Sequence, residues 1–150
     1  MELEPLKVFV DADVLIAGAV SPSTESASVV ILQLGSLTLL QCLISEQVRM
    51  EAIRNIQKKV PRAEKALAAL IDAAVEVVGD PVADNLKGYE GQADPKDLPI
   101  LVAAIENNCS YLVTFNTRHY YPTRGPIVVV KPGDLLVQIR GKVAELAKLE

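Results

Sequence analysis

Asp11 and Asp13 stand at the end of the apolar run KVFV, Asn116 stands just beyond YLVT, and Asp94 and Asp97 bracket Pro95 and Lys96. Carboxylate and amide oxygens of this kind are the donors that a hard cation such as Mg2+ or Mn2+ prefers. Acids gathered without a cation would repel one another, so their convergence would itself implicate a metal. The chain has one histidine and two isolated cysteines, Cys42 and Cys109, each in an apolar run. That composition disfavours a zinc site or a disulfide framework and reads as buried free thiols.

Each of these residues also has a plainer role. Pro95 and Pro99 are four apart, so a helix begun at Pro95 would lose the amide bond from position 99, and the start falls near Leu98. Asp97 is then the N-cap, and taken alone a cap carboxylate satisfying orphan amides explains it. Asp94 would shape the turn before Pro95. Glu51 borders the stripe Val48, Ala52 and Ile56, where a lone glutamate is usually surface charge. His119, within TRHYY, is by base rate more often structural than catalytic.

Positioning these side chains requires strands that end at them. Lys7 to Val10 reads as a strand, Ser23 to Leu34 as a helix stopped by Gly35, and Leu37 to Ile44 as a second strand. Ser45 caps a helix from Glu46 to about Lys59, and Pro61 opens another to about Ala74. Val75 to Val78 is a third strand, and Gly79 to Ala93 is a polar loop with room for one helical turn. A helix from about Leu98 to Asn107, strands at Tyr111 to Thr114 and Ile127 to Val130, and a helix from Gly133 to about Leu149 complete the chain. Alternation of this kind implies right-handed crossovers and a parallel sheet covered on both faces, with ligands at the carboxyl ends of the strands.

The 150 residues fit one domain, and 50% hydrophobic content with only 4% aromatic residues calls for a core of Val, Ile, Leu and Ala. The start MELEPLK lacks the basic and apolar regions of a signal peptide, and the apolar stretch from Val29 to Ile44 is too interrupted to span a membrane. A soluble cytoplasmic protein is expected. A net charge of −4 argues against nucleic-acid binding by overall attraction, although Arg49, Arg54, Lys58, Lys59, Arg62 and Lys65 cluster in one helical region. Such a run is more often a solvated face.

The segments VFVDADVLIAGAVSP, ISEQVRMEAIRNI, DPKDLPILVAAIENNCSYLVTFNTRHY and VVVKPGDLL resemble, in order and approximate spacing, the landmarks of PIN domains across about the whole chain. The branch most resembled is the one described as toxin components. By this resemblance, catalytic and metal-ligating acids fall on Asp11, Glu51 and Asp97, and the fourth position falls on Asn116, where the family often has an acid. Asp13 and Asp94 are second-tier metal ligands. Thr114 resembles the hydroxyl residue that orients water or a carboxylate, and Arg118, with His119, is placed to contact substrate phosphate.

The resemblance implies a three-layer α/β/α sandwich around a parallel sheet. Its implied chemistry is Mg2+- or Mn2+-dependent hydrolysis of RNA phosphodiesters, leaving a 5′-phosphate. It also implies an antitoxin partner and a homodimer. The departure at Asn116 keeps open a second reading, a catalytically weakened PIN fold that binds RNA or protein. A weaker resemblance to haloacid-dehalogenase-like phosphatases rests on Asp11, Asp13, Ser45, Gly79, Asp80 and Asp84, but leaves TFNTRHY unexplained.

Overall fold

A computed structural model describes residues 4–123 and 125–148. Five parallel strands form one sheet in the order β3-β2-β1-β4-β5. They are β1 (Leu6–Val10), β2 (Leu40–Ser45), β3 (Val75–Val78), β4 (Tyr111–Val113) and β5 (Val128–Val130). The helices are α1 (Ala12–Val20), α2 (Ala27–Ser36), α3 (Glu46–Lys59), α4 (Glu64–Ala74), α5 (Ala83–Leu86), α6 (Leu98–Glu106) and α7 (Pro132–Ala147). Val8, Phe9 and Val10 are consecutive and all fully buried, as are Leu112 and Val113. Successive strand residues face opposite sides, so a run with no exposed member requires helices on both faces, and the result is an α/β/α sandwich.

Register places the chemistry. Phe9 and Val10 of β1 pair with Leu112 and Val113 of β4, and the Asp11 amide donates to the Val113 carbonyl at 3.0 Å. The ends of the two strands are therefore level, and the residues that follow them emerge side by side. Ser45 caps α3 by accepting from the Val48 amide, and Val48, Ala52 and Ile56 turn inward as one stripe, which leaves Glu51 at its edge.

Several local expectations need correction. Residues 12–20 form a helix that the apolar, aperiodic run ADVLIAGAV did not announce; Asp11 caps it, its carboxylate accepting from the Ala12 amide. The next helix starts at Ala27 rather than Ser23, because Ser26 is the cap. Gly35 does not stop α2. A Cβ there would lie 2.6 Å from the Ala74 carbonyl oxygen, so glycine permits close packing and the helix runs on to Ser36. Leu37 and Leu39 are exposed, and Thr38 takes a left-handed turn at φ 60°, which delays β2 to Leu40. The turn within the Gly79 to Ala93 loop is α5 followed by a 3-10 turn at Lys87–Tyr89. The last helix begins at Pro132, and its expected end at Leu149 lies outside the described residues. No described helix is long and apolar enough to cross a membrane.

Candidate active site and metal centre

A pocket of about 150 Å³ opens at the carboxyl ends of β1, β2 and β4. Asp11, Asp13, Glu51, Asp97 and Asn116 line it, with Asn55, Lys96 and His119. A pocket of this volume has room for a hydrated ion and a phosphate group. The sequence thus brings four elements together: the β1 terminus, α3, the approach to α6, and the segment after β4.

Asp11 is buried and held by three donors, which leaves one lone pair on Oδ1 open. Its Oδ1 accepts from the Ala12 amide at 2.8 Å, and its Oδ2 accepts from the Thr114 hydroxyl at 2.9 Å and the Tyr120 hydroxyl at 2.8 Å. Burial, followed by the charge of Asp11, pushes the Tyr120 phenol above its ordinary range and keeps it a donor. Thr114 is wholly buried and also accepts from the Asn116 amide at 3.0 Å. Its hydroxyl therefore orients a carboxylate. Tyr120 was not identified from the sequence; its only signal was that a tyrosine buried in a polar neighbourhood needs a partner for its hydroxyl.

Asp13 anchors the loop after β4. Its Oδ2 accepts from the Phe115 amide at 3.0 Å and from the Asn116 side-chain amide at 3.1 Å. Its other oxygen, Oδ1, is buried and has no hydrogen-bond partner. Burial, then the charge of Asp11, raises its carboxyl from 3.8 to about 6 despite those donors. Glu51 is raised as well, by burial first and then by Asp11 and Asp97, against the opposing charges of Lys96 and Arg54.

Asp97 stands at the N-cap position of α6, but its side chain makes no capping bond. The cap explanation therefore fails for its carboxylate. Burial and Asp11 raise the Asp97 carboxyl, and its Oδ2 is a second buried oxygen with no hydrogen-bond partner, although His119 Nδ1 lies 3.2 Å away. Asp94 sits outside the pocket lining and accepts from the Tyr121 hydroxyl at 3.2 Å. Arg118 is exposed on the 3-10 turn Thr117–His119 and is not part of the pocket wall.

Two segments act as one wall. Ala93 and Tyr120 form an antiparallel bridge, the Asp94 amide donates to the His119 carbonyl at 2.9 Å, and the Tyr121 amide donates to the Gln92 carbonyl at 2.9 Å. This pairing carries Asp97, His119 and Tyr120 to the pocket together.

Two orphaned carboxylate oxygens among mutually repelling acids, with raised carboxyl groups, fit a divalent cation: it would replace the missing donors and favour the ionised forms.

A family model described as PIN domain matches residues 7–118. No curated protein sequence matches the chain. VapBC2 from Rickettsia felis, crystallised with a DNA fragment from its promoter, is 16% identical over 83% of this chain and 97% of that one, with a TM-score of 0.60. PAE2754 from Pyrobaculum aerophilum is 17% identical over 91% of this chain and 96% of that one, with a TM-score of 0.63. At such identities the likeness concerns the fold alone.

Proposed function

The chain belongs to the PIN-domain family, and from that premise we propose that it is a metal-dependent endoribonuclease that acts as the toxin of a toxin–antitoxin pair. The observation that carries the reading is the convergence of Asp11, Asp13, Glu51 and Asp97 on one small pocket, with two of their oxygens lacking any hydrogen-bond donor. The family match also sets aside the phosphatase reading.

Asp11, Glu51 and Asp97 would hold Mg2+ or Mn2+, with Asn116 as a neutral ligand and Asp13 and Asp94 in support. When bound, such a cation supplies Lewis-acid stabilisation of phosphate oxygens and lowers the pKa of water. The chain's own residues do the rest. Thr114 and Tyr120 fix the direction of Asp11. Lys96 on the pocket wall and the exposed Arg118 offer positive charge to an RNA backbone entering from solvent. The pocket has room for a phosphate group beside its acidic wall.

Cleavage of RNA should require Mg2+ or Mn2+, stop with EDTA and leave 5′-phosphate ends. Activity that survives EDTA, or 2′,3′-cyclic phosphate products, rules the mechanism out. The neutral Asn116, whose side-chain amide donates to Asp13, favours one competing reading, a binding module with weakened catalysis. That module would bind RNA and release it intact in saturating Mn2+. The antitoxin and homodimer remain part of the proposal, tested by co-purification with the product of a neighbouring reading frame and by solution mass.

A further inference from the structure

Asp94, Asp97 and His119 present two carboxylate oxygens and one imidazole nitrogen that all lie within 4.8 Å of one another. We propose that these three residues form a second cation position, beside the one assigned to Asp11 and Glu51 and sharing Asp97 with it, which takes a transition ion such as Zn2+. The inference deepens the reading of the acidic pocket and rests on it through the shared ligand.

His119 Nδ1 is 3.2 Å from Asp97 Oδ2 and 3.9 Å from Asp94 Oδ2. Around a zinc ion with bonds of about 2.1 Å, neighbouring ligand atoms stand about 3 to 3.4 Å apart. The first pair is already at ligand separation, and the second stands wider, so the Asp94 carboxylate would have to move inward to join. The orphaned oxygen of the shared ligand Asp97 lies at the same spot. Asp97 is 7% exposed, and its Oδ2 lacks a hydrogen-bond partner even though the imidazole is close by. A buried carboxylate oxygen left without a donor is destabilising, and an ion between it and Nδ1 would complete both.

The ligands are held from behind. The Asp97 amide donates to the Asp94 carbonyl at 2.8 Å, the Asp94 amide to the His119 carbonyl at 2.9 Å, and the Tyr121 hydroxyl to the second Asp94 oxygen at 3.2 Å. Contacts of this kind fix ligand direction. Ligand type separates the two positions. An all-oxygen set suits Mg2+ or Mn2+, whereas an imidazole nitrogen shifts preference toward Zn2+ and its neighbours.

Because His119 is the only histidine in the sequence, the test is self-identifying. Zn2+ is added to untagged protein, its affinity is measured by calorimetry, and its ligands are read by X-ray absorption. The expected spectrum contains the scattering signature of one imidazole. His119→Ala should remove that signature, and His119→Ala and Asp94→Asn should each weaken Zn2+ binding at least tenfold. Asp11→Asn should keep the imidazole-bound ion, which separates this inference from the nuclease reading, whose failure would appear as absent Mg2+-dependent cleavage. Zn2+ bound without imidazole, or bound equally well by both variants, overturns the proposal. So does a histidine ring spectrum unmoved by Zn2+, since the ring would then be only a counter-ion to the two carboxylates.

Discussion

The Tyr120 hydroxyl donates to Asp11 Oδ2 at 2.8 Å, beside the Thr114 hydroxyl on the same oxygen at 2.9 Å. A hydrogen bond to a charged group contributes about 1.5–3 kcal/mol, and partners that orient a metal ligand typically change metal affinity about tenfold or more. Tyr120→Phe keeps the ring and removes only this bond. It is expected to lower unfolding free energy by about 1–2 kcal/mol and to raise the Mn2+ concentration for half-maximal cleavage roughly tenfold. A melt that shifts with no change in metal requirement would reduce Tyr120 to packing.

Asp97→Asn separates stability from function. The native carboxylate is buried and uncapping, and its ionised form is disfavoured. In EDTA at neutral pH the amide should therefore melt at or above the wild-type temperature, while Mn2+ affinity and cleavage fall steeply. Unchanged affinity and cleavage would remove Asp97 from the site.

Asn116→Asp should act with the opposite sign. The new carboxylate would face Asp13, where the Asn116 amide now donates at 3.1 Å. Repulsion should destabilise the metal-free protein, and attraction to a cation should tighten Mn2+ binding by on the order of 1 kcal/mol or more. Thermal melts with and without Mn2+ measure both halves; a variant that binds Mn2+ no better places Asn116 outside ligand reach.

Asp13 sets a pH dependence. Its folded carboxyl is raised from 3.8 to about 6, chiefly by burial. A raised acid favours folding while protonated, so this contribution is complete below pH 3.8 and is lost as pH rises through about 6. In EDTA, Asp13→Asn should be more stable than wild type at pH 7.5, and the difference should shrink toward pH 4.5. Adding Mg2+ at pH 7.5 should stabilise wild type more than the variant. A stability gap that does not vary with pH contradicts the assignment.

The parallel sheet and the polar edge at Asp11 and Asn116 were legible because strands and the residues that end them are adjacent in sequence: β1 runs straight into Asp11, and α3 begins at a serine cap with a clear apolar stripe, whereas Glu51 and Asp97 joined the site only through the family resemblance. What stayed hidden depends on contacts distant along the chain. α1 carries too little polar contrast to show a period, and Gly35 reads as a helix stop until the Ala74 carbonyl is seen against it. The uncapped state of Asp97 could not be read from spacing, since the prolines predict the helix start correctly but not where the carboxylate points. Tyr120 reaches Asp11 across 109 positions, a pairing that no local pattern encodes.

That separation also orders events during synthesis. β1 is made before its partner β4 and the donors Thr114 and Tyr120, which follow about a hundred residues later. A nascent chain that has emerged only through α6 contains Asp11, Glu51 and Asp97, but it has no strand to close that side of β1 and no hydroxyl to hold Asp11. Domains that rely on such long-range pairing complete their structure late. The hydrogen-bonded geometry around Asp11 therefore cannot form until the chain has been made through Tyr120.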